Sequence, residues 1–153
     1  MEKFRSLARS ILGVFLVAIA TLLVSCSSGP NASAPATYSA DQLSQIAIYA
    51  GRIEASKNRL PELGGYIRDE NWVNIDNFIH GPLGEIRERM NRLAFQLLPA
   101  DKAEALKLSD KISGDLEAMS TAVSAFDSNR TNQAYIRFAK DLVTFLNLVP
   151  TAD

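Results

Sequence analysis

Cys26 is the only cysteine of this chain, and its setting gives it a definite chemistry. It closes the stretch Leu23-Val24-Ser25-Cys26, behind a basic start (Lys3, Arg5, Arg9) and the apolar run of residues 11–23. The positive residues hold the start of the chain on the cytoplasmic side during export. The apolar run is short for a permanent span, and small Ser25 suits a signal peptidase. The thiol that follows is the acceptor of a diacylglyceryl group. The expectation is a lipoprotein signal over residues 1–25 and, after cleavage, a lipidated N-terminus at Cys26. Each buried CH2 of an acyl chain contributes about 0.8 kcal/mol, so two or three chains anchor firmly.

His80 is the only histidine. Asp76 lies one helical turn before it, so the two share a face and could hold a zinc ion with water or a neighbouring molecule. A solvated or interfacial histidine near a kink accounts for the same residues more simply. A haem would draw on His80, Met90 and Met119, but no Cys-x-x-Cys-His attachment is present, and both methionines fall on apolar stripes where methionine fills gaps. A bundle di-iron site needs two Glu-x-x-His motifs, which one histidine cannot supply. No nucleophile elbow and no Gly-rich phosphate loop occurs. The expectation is a chain with no catalytic residues, no resident metal and no cofactor beyond the lipid. What remains for function is surface. Glu85, Arg87, Glu88, Arg89 and Arg92 form favourable i,i+4 pairs, either as a solvated face or as a docking face. Arg87, Arg89, Arg92 and His80 are the candidate partner-binding residues.

The elements that must position these residues read as helices. Residues 27–37 (SSGPNASAPAT) are small, polar and uncharged, and read as a tether; residues 26–38 then comprise the lipidated cysteine and tether, and residues 39–150 one domain. Ser39 with Gln42 opens a first helix through Leu43, Ile46, Ala47, Ala50 and Ile53, ending near Asn58. Pro61 and Gly64-Gly65 predict a short turn or a single helical turn up to Arg68. A second helix starts near Asn71 and carries Trp72, Ile75, Ile79, Leu83, Ile86, Met90, Leu93 and Leu97. It is expected to be kinked or broken at Pro82, with Pro82 at a new first turn if broken, and stopped by Pro99. Trp72 is expected in the core. Asp101 opens a third helix with Ala105, Leu108, Ile112, Leu116, Met119, Val123 and Phe126 along its seam. The segment 127–132 reads as a polar turn. A fourth helix carries Ala134, Tyr135, Phe138, Leu142, Phe145, Leu146 and Val149. Together they predict an all-α, up-down-up-down four-helix bundle.

Without residues 1–25, which hold three basic residues and one acidic, the 16 basic and 17 acidic residues of the chain become 13 and 16, a net charge of −3. A mildly acidic domain argues against nucleic acid as a partner.

The segment NWVNIDNFIHGPLGEIRERM, from Asn71 to Met90, resembles the PsbQ family, the extrinsic lumenal proteins of photosystem II, in its cyanobacterial lipoprotein form. Leu97-Leu98-Pro99 followed by Asp101, the last helix with Tyr135, Phe138, Phe145 and Leu146 closing on Leu148-Val149-Pro150, and the Cys26 motif add to the likeness. His80-Gly81-Pro82-Leu83-Gly84 is its most specific part. The resemblance implies a non-catalytic four-helix bundle on the lumenal side of the thylakoid membrane. It would bind the lumenal surface of photosystem II near other extrinsic subunits and the inner antenna, and favour retention of calcium and chloride at the oxygen-evolving centre. Plant members dock through an extended N-terminal arm; here a lipid and tether stand in that place, so those contacts do not transfer. The rival expectations are an envelope lipoprotein serving another membrane complex, and a weak metal-binding bundle built on His80.

Overall fold

A computed structural model describes residues 37–151, and all regular structure within them is helical. Six helices follow one another: α1 (Ala40–Asn58), α2 (Leu60–Arg68), α3 (Trp72–His80), α4 (Ile86–Ala94), α5 (Pro99–Ser124) and α6 (Ser128–Asn147). They make four rods, α1–α2, α3–α4, α5 and α6. The α5 and α6 helices pack along each other, α4 lies between α5 and α1, and α2 sits against α3 and α6. This is the expected up-and-down bundle, broken in its second rod. Cys26, the signal and residues 26–36 of the tether lie outside the described residues.

The expected stripes form the core. Ile75, Ile79, Leu83, Ile86, Met90 and Leu93 meet Ala105, Ile112 and Met119 of α5 and Phe138, Leu142 and Phe145 of α6, all buried. Helix α1 contributes less. Ile46 and Ile53 are fully buried, whereas Leu43 and Ala50 are half-buried and Ala47 is exposed.

Four helix boundaries differ from the sequence expectation, each for a local reason. The segment with Pro61 and Gly64-Gly65 is a nine-residue helix, not a turn. Pro61 falls in the first turn, where its missing N–H is harmless, and Gly64 packs under the Tyr135 hydroxyl, 3.0 Å from where a Cβ would stand. Pro99 does not stop the second rod, which ends at Ala94. It starts α5, so this helix begins before Asp101. Segment 127–132 is not a turn: Asp127 accepts from the Arg130 N–H as N-cap, and α6 begins at Ser128. Phe126 is not on the α5 seam; it lies beyond the helix end and is 68% exposed.

The break at Pro82 spans residues 81–85, with helix resuming only at Ile86, so Pro82 is not a first-turn residue of α4. The Leu83 N–H reaches back to Phe78 O (3.2 Å) and the Gly84 N–H to Gly81 O (3.1 Å). A Cβ on Gly81 would stand 2.8 Å from Asn77 O, and one on Gly84 would overlap the His80 carbonyl oxygen. Glycine is required at both places because backbone passes backbone.

The two connections at one end of the bundle share a design. The α2–α3 turn is Asp69, Glu70, Asn71; the α5–α6 turn is Ala125, Phe126, Asp127. Glu70 N–H donates to Ile67 O (3.2 Å) and Asn71 N–H to Tyr66 O (2.9 Å); Phe126 N–H donates to Val123 O (3.0 Å) and Asp127 N–H to Ala122 O (3.0 Å). Each is a Schellman ending, with its middle residue at positive φ: 50° for Glu70 and 54° for Phe126. Asn71 and Asp127 then cap the following helices. The Ser128 hydroxyl donates to Glu70, joining the two turns.

At the other end, Tyr38 fixes the point where the tether meets the bundle. Its hydroxyl donates to Asp101 Oδ2 (2.6 Å) and accepts from the Leu98 N–H (3.0 Å). Burial, then the bond to Asp101, raises this phenol above its ordinary value. The Ser39–Gln42 capping box follows as expected.

Candidate docking surface

The four charged residues after the break that were paired by spacing are paired in space. Arg89 Nη2 donates to Glu85 Oε2 at 2.9 Å and Arg92 Nε to Glu88 Oε1 at 3.0 Å. The Glu88 bond raises the Arg92 guanidinium above its ordinary value. Arg89 has a second role, since its Nη1 donates to the buried Ser56 Oγ (3.2 Å) and ties α4 to α1. Arg87 points the other way, to Asp110 of α5 (3.0 Å). One short helix thus links to both of its neighbours through guanidinium groups, with planar, multi-donor geometry that a lysine would not reproduce.

Two shallow grooves flank α4. Arg52, Ala55, Glu85, Glu88, Arg89 and Arg92 line the first, between α1 and α4. Gly84, Glu85, Arg87, Glu88, Asn91, Arg92 and Phe95 line the second, on the α5 side. Three arginines face two glutamates in the first groove. Arg52 makes no ion pair among the described residues and stacks over Tyr49 instead, its Cζ 5.8 Å from the ring centroid. Phe95, 61% exposed, closes the second groove under the Lys102 ammonium, 4.2 Å from its centroid. Arg52, Phe95 and Lys102 were not singled out in the sequence. They join the arginine face only through packing of α1 and α5 beside α4.

His80 lines neither groove. Its Nδ1 lies 3.0 Å from the Asp76 carbonyl oxygen and 3.4 Å from Asp76 Oδ1, and both side chains are exposed. Among the described residues no group of three His, Cys, Asp or Glu side chains converges as metal ligands. Met90 and Met119 are fully buried in the core while His80 faces solvent, so these three do not surround a common site. Trp72 is half-buried at the rim of the core rather than within it, edge-on to Phe126 with centroids 5.6 Å apart.

The polar run Ser109-Asp110-Lys111 of α5, which has no sequence-level explanation, is an inter-helix junction. Ser109 Oγ donates to Asn91 Oδ1 (2.8 Å), Asp110 pairs with Arg87, and Lys111 Nζ lies 2.9 Å from the buried Asp141 carboxylate of α6. One turn on, Asp115 pairs with Arg137 at 2.7 Å.

Fold and surface together define an all-α, up-and-down bundle whose charged side chains stitch helices together and line shallow outer grooves. No described helix is long and apolar enough to cross a membrane. The family model of PsbQ, oxygen evolving enhancer protein 3, matches residues 4–150. CyanoQ of Synechocystis sp. is 38% identical over 145 residues, 94% of this chain and 97% of that protein. The chain belongs to the PsbQ family, the extrinsic proteins of photosystem II, in its cyanobacterial branch.

Proposed function

We propose that this chain is a non-catalytic, lipid-anchored subunit on the lumenal side of the thylakoid membrane. It docks on the lumenal surface of photosystem II beside other extrinsic subunits and the inner antenna. There it stabilises the complex and slows the loss of calcium and chloride from the oxygen-evolving centre. The observation that carries this reading is the family match, which extends from residue 4 to residue 150 and so includes the Cys26 segment.

The bundle's surface suits such work. The arginine grooves beside α4 offer guanidinium groups, those of Arg89 and Arg92 held by glutamates and that of Arg87 by Asp110, and arginine is enriched in protein interfaces. Arg52, Arg87, Arg89 and Arg92 are the docking residues on this reading. A lipid on Cys26 confines the domain to the membrane surface, which raises its effective concentration near a membrane complex. Modest grooves then suffice for stable association. Covering a lumenal surface slows exchange of water and ions beneath it.

Removal of the protein is expected to lower oxygen evolution most when calcium or chloride is limiting. Tagged protein recovered from solubilised membranes should bring photosystem II core subunits with it. Equal oxygen evolution with and without the protein under calcium and chloride limitation would overturn the retention role. Recovery without core subunits would overturn the docking reading.

A further inference from the structure

Phe126 stands where helix endings of this kind ordinarily place glycine or asparagine. Its φ of 54° is a left-handed conformation that bulky side chains disfavour. Its ring is 68% exposed, so its gain from burial within the chain is small. The equivalent residue of the sister turn, Glu70, holds the Ser128 hydroxyl; the Phe126 ring stands edge-on to Trp72. Val73, next to Trp72, is 71% exposed. Trp72, Val73, Asp76, Asn77, Val123 and Phe126 line one shallow depression. Strained backbone holding out an apolar side chain is the signature of a contact made with something else.

The charges around this depression say what fits it. Asp69, Glu70 and Asp76 have no lysine or arginine partner among the described residues, and Asp76 meets only His80. Asp127 is paired with Arg130. Arg68, the nearest other cation in sequence, folds back along α2 toward Gly64 and Gly65. Asp76 lines the depression and Asp69 and Glu70 stand in the adjoining turn, so this end of the bundle is acidic beside an apolar, aromatic floor. We infer that the Trp72–Val73–Phe126 end of the bundle is a second docking surface, for a protein segment that presents an apolar side chain flanked by lysine or arginine. It goes beyond the α4 grooves, whose linings carry arginine and glutamate side chains. It also lies at the far end of α5 from Tyr38, about 39 Å away for 26 residues at 1.5 Å each. The chain thus enters the bundle at one end, at Tyr38, and this surface lies at the other.

The test places a photoreactive benzoylphenylalanine at position 126 of the full-length chain in its native membranes. Irradiation is expected to link it to one polypeptide, at a peptide where an apolar residue adjoins Lys or Arg. Asp69→Lys with Asp76→Lys should lower the yield roughly ten-fold, since like charges then face each other. The same probe at Ile48, exposed on α1, should give no such link. A second variant, Phe126→Gly, should melt no lower than the parent yet lose the partner. Links to lipid alone, to a second copy alone, or to nothing would overturn the inference, as would a yield indifferent to charge reversal. A specific link without co-recovery of photosystem II would sink the functional reading above and leave this surface standing. Co-recovery without a link would do the reverse.

Discussion

A Cβ on Gly84 would overlap the carbonyl oxygen of His80, whereas one on Gly51, in the middle of α1, would meet nothing within 4 Å. The two glycines therefore make opposite predictions for the same change. Gly84→Ala forces the 81–85 turn apart and is expected to cost about 1–3 kcal/mol, as overpacking does. Gly51→Ala removes chain entropy from the unfolded state at an open helical site and should stabilise by about 0.5–1 kcal/mol. Urea melts of the two variants check both signs. Equal effects would show that the turn relaxes freely and that His80-Gly81-Pro82-Leu83-Gly84 is not specified by backbone approach. As it stands, the glycines in the most specific stretch of the family resemblance are explained by sterics: Gly81 and Gly84 admit the close pass of backbone on backbone.

Helix α5 shows what its neighbours demand of an element. Ser109, Asp110 and Lys111 bond to α4, α4 and α6 in turn, and their worth differs with burial. Asp110 and Arg87 are both more than half exposed, so Asp110→Ala is expected to cost at most about 1 kcal/mol. Lys111→Met strands the Asp141 carboxylate, which is 8% exposed, and should cost about 2–3 kcal/mol. The double variant with Asp141→Leu should recover much of that loss, and a double-mutant cycle by thermal or urea unfolding measures the coupling. Such junctions are invisible in one dimension. The i,i+4 pairs Glu85–Arg89 and Glu88–Arg92 follow from helical spacing alone, but Arg87–Asp110 depends on which rods become neighbours. The same limit explains the boundary errors. Pro61 and Pro99 are read as breakers because the residues that make them helix starters lie ahead of them. Phe126 continues the α5 stripe in number but not in space, because the Schellman turn rotates it out of the seam.

For the whole molecule, the apolar periodicity carried the bundle and its four rods, since each stripe needs a facing stripe. The surface was less legible. Arg52, Phe95 and Lys102 flank the arginine face only after packing, and the Trp72–Val73–Phe126 depression is assembled from the start of α3 and the end of α5, about 50 residues apart in the chain. Lipid anchoring belongs to this scale as well. Cys26→Ser is expected to leave the bundle's melting unchanged while the protein moves from the membrane to the soluble fraction, because the domain supplies no apolar span of its own. Full retention on membranes after salt washing, with the signal removed, would show that docking alone holds it.

Tyr38 has a mechanical consequence. Its hydroxyl bridges the segment entering α1 to the Leu98 amide and the Asp101 carboxylate where α5 begins. A pull on Thr37 therefore does not unwind α1 from its first turn. It passes through the phenol into a second helix, so two rods bear it in parallel. Strain at this corner is thus shared between two helices, and α1 does not fray alone where the chain enters the bundle.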